Sequence, residues 1–294
     1  MTETTDVPTT GKRRATFNTL EVSELRRLTD DSVEITFAVP EELADDYDYV
    51  PGQYVALRKE LDGAEVRRSY SICAVPKRGE IRVAVKKDIG GKFSTWANES
   101  LEVGEKIDVM NPQGAFTSRT HVTSLNDAQK VAAEKVAEKK DTHLVAFAAG
   151  SGITPIMAIA KAVLAASETS RFDLVYANRS AMDVMFAEEI GDLKDKYPAL
   201  LDRVIDVEGT DEWFLCGPFE LVQLTRETLA ARGVSEDDVR FELFTTGRPE
   251  NPQGHSGRVV EVDPKGDNVT IEFNLDGLTA KVESPKSAHE TVLN

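Results

Sequence analysis

The sequence predicts a β-barrel domain followed by an α/β domain with a doubly wound parallel sheet, and a partial β-hairpin unit at the C-terminal end. Three observations predict this. Short alternating apolar runs separated by turn residues occupy about Phe17 to Phe116. Apolar runs alternate with helical patterns from about Thr142 to Thr245. Beyond residue 268, two β-type runs flank Asp276-Gly277, a strong hairpin signal.

Bulk composition narrows the class. A chain of 294 residues can bury roughly two cores. The net charge of −16 argues against a nucleic-acid or anionic-membrane partner. There is no apolar run long enough to span a bilayer, and the polar N-terminus lacks a signal-peptide core. Cys73 and Cys216 are the only cysteines and form no C-x-x-C pair, so a reducing, cytoplasmic setting is expected rather than a disulfide framework. His121, His143, His255 and His289 are scattered, so no metal site is expected.

Taken in order, residues 1–15 read as a disordered leader and 16–117 as the barrel. Its strands include Val33–Phe37, Tyr54–Leu57 and Ile81–Val85, punctuated by Pro40, Pro51-Gly52, Asp62-Gly63 and Lys77-Arg78-Gly79. Gly91-Lys92-Phe93-Ser94-Thr95-Trp96 reads as a glycine turn and a short helix, with Ser94 or Thr95 near its N-terminus, where an anion can sit. Residues 118–141 read as a helical insertion or linker: Asp127–Lys140 is rich in Ala, Glu and Lys, and only Val131 and Val136 make an apolar face. In 142–246, strands are expected at Leu144–Ala149, Phe172–Ala177, Trp213–Cys216 and Phe241–Phe244, and helices at Pro155–Ala166, Met185–Lys196 and Phe219–Arg232. Residues 247–267 form a Gly/Pro/polar linker. In 268–294, runs at Val269–Leu275 and Thr279–Val282 precede a helical beginning at Ala288–Leu293. A lone hairpin is not a stable domain, so this end reads as the start of a third one.

The most informative stretch is Phe147 to Pro155. A buried strand breaks at Gly150-Ser151-Gly152, and a helix begins near Thr154-Pro155. Strand, glycine turn and helix N-terminus together receive a pyrophosphate, because glycines admit the ligand to the backbone and the first helical N–H groups face it. Thr154 is expected to cap the helix and Pro155 to sit in its first turn. The pattern is G-x-G-x-x-P, and a plain strand–helix connection would also produce it. Ligands of such sheets bind at the carboxyl ends of the strands, where Gly150, Asn178-Arg179 and Gly217-Pro218 fall. In the barrel, Arg68-Ser69-Tyr70-Ser71 offers a cation for a pyrophosphate, a ring to stack on an isoalloxazine and a hydroxyl for its N5. A simple surface strand is the alternative.

The order of the whole set carries more weight: Arg68-x-Tyr70-Ser71, Gly91-x-x-Ser94, Gly150-x-Gly152-x-x-Pro155, Cys216-Gly217-Pro218, Glu242-x-Phe244. In this order the motifs resemble the ferredoxin–NADP reductase superfamily, over about Phe17 to Phe244. The closer likeness is to the subgroup with a plant-type 2Fe-2S ferredoxin domain fused at the C-terminus. Within that subgroup, the chain is similar to the reductase components of phenylacetyl-CoA epoxidase systems. Arg67-Arg68-Ser69-Tyr70-Ser71-Ile72-Cys73, Phe93-Ser94-Thr95-Trp96-Ala97-Asn98 and Trp213-Phe214-Leu215-Cys216-Gly217-Pro218 carry it. The hairpin after residue 268 resembles the first hairpin of the ferredoxin domain.

The resemblance implies a role for each position. Arg68, Ser69, Tyr70 and Ser71 would bind FAD, with Ser71 at the reacting N5. Val85 and Lys86 would lie against its diphosphate and adenosine, and Gly91, Phe93, Ser94 and Thr95 would hold its pyrophosphate. Gly150, Ser151, Gly152, Thr154 and Pro155 would receive the NADPH pyrophosphate. Asn178, Arg179 and Ser180 would meet the 2′-phosphate, favouring NADP over NAD. Cys216, with Gly217 and Pro218, would lie beside the nicotinamide. Glu242 and Phe244 match the family's E-x-aromatic, with Phe244 covering the flavin until nicotinamide displaces it. Cys73 reads as buried core. The implied activity takes hydride from NADPH onto FAD, with C4 held about 3–3.5 Å from N5, and passes electrons singly to an iron–sulfur centre serving an oxygenase.

Two departures stand against the pattern. A plant-type cluster needs four cysteines, which two cannot supply, so 2Fe-2S is expected only in a longer form and this chain reads as truncated or a fragment. The stretch Tyr197 to Trp213 is too short for the strand and helix usual there; Leu200–Val207 can supply one of them. Two other readings therefore stay open: a stand-alone flavin or diaphorase-type reductase, and a non-catalytic flavin-binding module.

Overall fold

The computed structural model describes residues 14–118, 142–166, 169–196, 207, 209–243, 268–275 and 278–285. Contacts divide the chain into two units, Met1–Thr246 and Gly247–Asn294. The first contains a curled antiparallel sheet and a parallel sheet; the second contains a hairpin.

The antiparallel sheet has six strands: β1 (Phe17–Thr29), β2 (Ser32–Ala38), β3 (Tyr54–Leu61), β4 (Ala64–Ser71), β5 (Glu80–Lys86) and β6 (Lys106–Met110). Their spatial order is β4-β3-β6-β1-β2-β5. An isolated bridge between Ile72 and Val83 brings the two edges together, reinforced by Cys73 N–H donating to the Arg82 carbonyl at 3.0 Å. Period-two patterning turns Val33, Ile35 and Phe37 inward onto Leu20, Ile81, Val83 and Val85. Helix α1 (Lys92–Glu99) inserts Phe93 and Ala97 into this core. The polar half of β2 is buried too: Ser32, Glu34 and Thr36 are each at most 5% exposed.

The parallel sheet contains β7 (His143–Ala149), β8 (Arg171–Ala177), β9 (Glu212–Gly217) and β10 (Val239–Leu243), in the order β10-β9-β7-β8. The chain reverses direction across the sheet between β7 and β9, the place where ligands of open α/β sheets bind. Helices α2 (Ile153–Ala166), α3 (Ala187–Lys196) and α4 (Phe219–Ala231) cover it. Alternate residues of β9 serve opposite faces. Trp213 and Leu215 pack with Val222 and Leu229 of α4, while Phe214 and Cys216 pack with Ile156, Met157 and Ile159 of α2. That second cluster also takes in Cys73, Ala84 and Phe116 of the barrel, so one apolar core runs between the two sheets. Phe116 and Phe214 meet edge to face, centroids 5.5 Å apart.

Three expectations are corrected. Helix α3 starts at Ala187, not Met185, because Phe186 has φ +59, outside helical space, and Met185 and Phe186 are buried anchors before the first turn. Thr154 does not cap α2. A 3₁₀ turn at Gly150–Gly152 leads directly into Ile153, which places Thr154 inside the first turn, where its hydroxyl donates to the Ser151 carbonyl at 3.0 Å. Helix α4 ends at Ala231 rather than Arg232. Pro155 does lie in the first turn of α2. The second unit pairs β11 (Asn268–Leu275) with β12 (Leu278–Pro285), antiparallel, Leu275 opposite Leu278. The leader at 1–13, the helical insertion at 127–140, the short stretch at 197–206, Phe244, the linker at 247–267, Asp276-Gly277 and residues 288–293 lie outside the described residues.

A chain of ion pairs crosses from the barrel to the parallel-sheet region. Arg26 of β1 pairs with Glu34 of β2 at 2.9 Å and with Glu189 of α3, which also pairs with Lys161 of α2. Cys73 Sγ donates to Glu34 at 3.5 Å. Burial alone would push Glu189 up, but Lys161 and Arg26 hold its carboxyl below the usual range. Glu189→Ala removes the carboxylate that Lys161 and Arg26 share and leaves Arg26 with Glu34 alone. The expected loss is about 1–3 kcal/mol of unfolding free energy, less than for a fully buried pair because the Arg26 side chain is 38% exposed. Urea denaturation measures it, and unchanged stability would mean that apolar packing alone holds the seam.

Candidate functional site

The barrel side of the site is built on β4 and the loop into α1. Successive strand residues point to opposite faces, so Arg68 and Tyr70 share one face and Ser69 and Ser71 the other. The Tyr70 ring, half-buried, packs on Phe93 with centroids 5.6 Å apart, and Phe93 in turn meets Trp96 edge to face at 5.4 Å. Burial pushes the Tyr70 phenol up, so it stays un-ionised. Arg68 is exposed, and its guanidinium donates to the Arg67 carbonyl at 2.7 Å. Burial raises Asp88, and the charge of Arg68 opposes that rise, so Arg68 faces the 88–91 loop.

Ser94 is nearly buried and works within that loop: its hydroxyl accepts from Asp88 N–H at 3.1 Å and donates to the Gly91 carbonyl at 3.3 Å. Helix α1 has no side-chain cap on Gly91, which leaves first-turn N–H groups without intrahelical partners. The Phe93 and Val85 side chains are fully buried, so what either offers a ligand is main chain. Thr95 is half-buried, one residue further into the helix.

The parallel sheet contributes the glycine turn. Gly150 has φ +52, and nothing lies within 4 Å of where its Cβ would be, so the backbone there is open to a ligand. Gly152 is the reverse: its Cβ would sit 2.2 Å from the Cys216 carbonyl oxygen. Only glycine lets the start of α2 approach β9 this closely. Tyr176 of β8 donates from its phenol to the Gly150 carbonyl at 2.9 Å and braces the turn. Ser151 is half-buried on the same turn. Asn178 Oδ1 is buried without a hydrogen-bond partner, an acceptor available to a donor on a bound ligand. Gly217 ends β9, and Pro218 precedes α4.

The two halves meet at three side chains. Ser71 Oγ donates to Glu242 Oε2 at 3.1 Å, and Cys216 Sγ lies 4.0 Å from the same oxygen. Parallel register places Glu242 of β10 directly beside Cys216 of β9. Ser71 and Cys216 are buried. Burial pushes Glu242 up, opposed by the Ser71 hydrogen bond. Burial and the neighbouring Glu242 push the Cys216 thiol well up, so it is not a thiolate nucleophile.

A fourth group lies at the barrel–sheet edge. The Lys86 ammonium is 3.3 Å from Asp31 and 3.4 Å from Asp183. Arg179 is 3.0 Å from Asp183, whose other oxygen accepts from Ser180 at 2.9 Å. Asp31, Asp88, Tyr176 and Asp183 belong to these arrangements and were not singled out from sequence. Asp88, Tyr176 and Asp183 each lie within three residues of a motif residue in the sequence, but the contacts they make, like that of Asp31 across the strands, are set by the fold.

The sequence matches the family descriptions "Oxidoreductase FAD-binding domain" over residues 19–118 and "Oxidoreductase NAD-binding domain" over 147–214. It is 36% identical over 285 residues to a component of the 1,2-phenylacetyl-CoA epoxidase of Escherichia coli (strain K12), covering 87% of this chain and 74% of that protein. The chain belongs to the ferredoxin reductase family of FAD- and NAD-binding oxidoreductases. A second relative, the ferredoxin reductase component of 3-ketosteroid-9-alpha-monooxygenase from Rhodococcus rhodochrous, is 30% identical over 287 residues, covering 91% of this chain and 76% of the relative. The fold is also that of the FAD/NAD-binding domain of nitric oxide dioxygenase from Vibrio cholerae, with TM-score 0.62 and 23% identity over 77% of this chain and 98% of that one. A ferredoxin NADP+ reductase from Neisseria gonorrhoeae with bound FAD and NADP aligns with TM-score 0.57 and 16% identity over the same shares. Among the described residues no helix is long and apolar enough to cross a membrane.

Membership makes the chain an electron-transfer oxidoreductase and gives the Ser71–Glu242–Cys216 cluster a setting. The raised Glu242 fixes a sign. Its contribution to stability is fully present below the ordinary glutamate value of 4.5 and is lost as pH rises through the raised folded value. Glu242→Gln keeps an acceptor for Ser71 and cannot ionise. Its melting temperature is expected to gain on the native protein between acid and neutral pH. A gap independent of pH would mean that the carboxylate is not disfavoured here.

Proposed function

We propose that the protein takes hydride from NADPH onto FAD and passes the electrons singly to an iron–sulfur acceptor of a multicomponent oxygenase, of the phenylacetyl-CoA epoxidase type. The observation that carries this reading is the meeting of Ser71, from the Arg68-x-Tyr70-Ser71 strand, with Glu242 and Cys216 from the two parallel strands. A flavin-side motif and a nicotinamide-side motif converge there on one carboxyl oxygen.

The residues fit the two ligands. Tyr70, backed by Phe93, offers an apolar wall for a flat ring system. Arg68 and the first-turn N–H groups of α1 offer charge and donors to a pyrophosphate. The open face of Gly150 and the partnerless Asn178 Oδ1 fit a dinucleotide laid over the end of β7. Arg179 and Ser180 would grip the 2′-phosphate. When bound, FAD would supply the hydride-accepting ring and the change from two-electron to one-electron transfer. Ser71 Oγ would hold its proton toward Glu242 or turn it to the ring. Glu242, whose carboxyl is shifted toward its protonated form by burial, would accept the Ser71 hydrogen bond at the boundary between the two ligands. Cys216, small and neutral, would leave room for the nicotinamide. Phe244 would follow two residues after Glu242 as the covering aromatic. Both cysteines are free and buried, which suits a reducing compartment, and we place the enzyme in the cytoplasm.

The same two cysteines favour a second reading on one point. Neither is accessible as a cluster ligand, so electrons leaving FAD would pass to a centre held elsewhere, or to a diffusible acceptor as in a stand-alone reductase.

Three experiments test the proposal. The purified protein is expected to show oxidised-flavin bands that bleach on anaerobic addition of NADPH. Bands that stay would leave a flavin-binding module, and a colourless protein that takes up no added FAD would overturn the reading. Tyr70→Ala is expected to lose most of the flavin absorbance while keeping its far-ultraviolet circular dichroism. In steady-state assays, Arg179→Ala is expected to raise KM for NADPH about tenfold and KM for NADH little, the loss of one charge-assisted contact. Equal changes would remove Arg179 from the 2′-phosphate site.

A further inference from the structure

The charges around Lys86 join both domains and stand apart from the hydride-transfer cluster. Asp31 lies in the two-residue turn between β1 and β2, Lys86 ends β5, and Arg179, Ser180 and Asp183 follow β8. Lys86 Nζ bridges Asp31 Oδ1 at 3.3 Å and Asp183 Oδ1 at 3.4 Å. Arg179 reaches the same two residues, Asp183 at 3.0 Å and Asp31 at 3.5 Å. Two cations therefore face two carboxylates, and the group is neutral.

A neutral group is a poor host for a phosphate dianion, which needs an excess of positive charge. Of the two contacts that Arg179 makes, the one to Asp31 is the more readily exchanged. Asp183 is tied to its own loop by Ser180 at 2.9 Å and by the four-residue spacing to Arg179. Hydrogen bonds from Ser180 and Arg179 hold its carboxyl below the usual range. Asp31 reaches Arg179 from the other domain at the longer distance, and the Arg179 side chain is 74% exposed, free to swing.

We infer that Asp31 is a specificity-determining residue: its carboxylate competes with the 2′-phosphate of the dinucleotide for Arg179, and so sets the preference for phosphorylated over unphosphorylated adenosine. The inference rests on the reading of Arg179 and Ser180 as the 2′-phosphate site. Binding of NADPH exchanges one partner of Arg179 for another. NADH leaves the Asp31 contact in place.

The test uses the FAD-loaded protein and calorimetric titration with adenosine 2′,5′-bisphosphate and adenosine 5′-monophosphate, which differ only in the 2′-phosphate. Asp31→Asn keeps an acceptor for Thr29, whose hydroxyl donates to Asp31 Oδ1 at 2.8 Å, and suits a turn. It is expected to bind the bisphosphate about three- to fivefold more tightly, the scale of a largely exposed ion pair, and the monophosphate unchanged. Asp30→Asn, on the exposed neighbour in the same turn, removes the same charge and is expected to leave the ratio of the two affinities as it was. The inference is overturned if Asp31→Asn leaves that ratio unchanged, or if Asp30→Asn shifts it as much. Arg179→Ala separates the two levels. Loss of discrimination with no Asp31 effect sinks the inference alone, whereas unchanged discrimination in Arg179→Ala sinks the 2′-phosphate reading beneath it.

Discussion

The constraint on which the site depends is the approach of the start of α2 to β9. Gly152 lies so near the Cys216 carbonyl that a Cβ would come within 2.2 Å of its oxygen. That approach sets helix α2 down on the sheet at the point where strand order reverses. With α2 so placed, Ile156, Met157 and Ile159 reach the barrel-facing core, and Gly150 is left above it with an open backbone. Cys216 is held from one side by this contact and from the other by its register with Glu242. The position of both side chains at the domain boundary follows from a glycine that contributes no atoms to the chemistry.

The seam between barrel and parallel sheet has two kinds of contact with different consequences. Phe116, Cys73 and Ala84 merge with the α2 and β9 core and supply non-directional burial. Ion pairs at Glu34, Arg26, Glu189 and Lys161, and separately at Asp31, Lys86 and Asp183, supply direction. Apolar packing alone tolerates sliding of one surface over another. Paired charges of opposite sign do so less, because misalignment leaves a half-buried charge without its partner. A site assembled from two domains needs this angular definition, since Ser71 and Glu242 come from opposite sides of the boundary.

Most of the architecture was legible because its signals are local. Alternation in Val33–Phe37 and Ile81–Val85 yielded strands, and Gly150-Ser151-Gly152 marked the switch between β7 and α2. The motif order gave the family. What remained hidden depends on contacts remote in sequence. Strand β6, at Lys106–Met110, has the right alternation but is short and flanked by charge; pairing with β1 and β3 is what makes it a strand. Phe186 in left-handed space cannot be read from its residue type. The Thr154 hydroxyl is a cap by composition and a donor to Ser151 by geometry, because the preceding turn is 3₁₀. Glu34 reads as the solvated half of an amphipathic strand, and only the packing of α2 and α3 against the barrel turns that face inward. Arg179 is proposed as a phosphate ligand from its place after a strand alone, whereas its carboxylate partner Asp31 stands 148 residues away in the chain.

The segment after β4 shows how closely fold and site are joined. Ser71 donates to Glu242; Ile72 bridges to Val83 and closes the barrel; Cys73 enters the seam and donates to Glu34; the Ala74 carbonyl accepts from the Tyr49 phenol at 3.1 Å. Four consecutive residues thus serve the proposed site, the barrel, the domain interface and an internal anchor. Strand alternation accounts for the division: Ile72 points into the barrel, and Ser71 and Cys73 point out toward the other domain. A shift of one residue in this register would put Ser71 and Cys73 into an apolar barrel and Ile72 against Glu242, removing closure, seam and site together. Register at this one crossing is therefore specified by the barrel core, by the domain interface and by the Ser71–Glu242 contact at once, and the same redundancy keeps the hydroxyl where a flavin ring would need it.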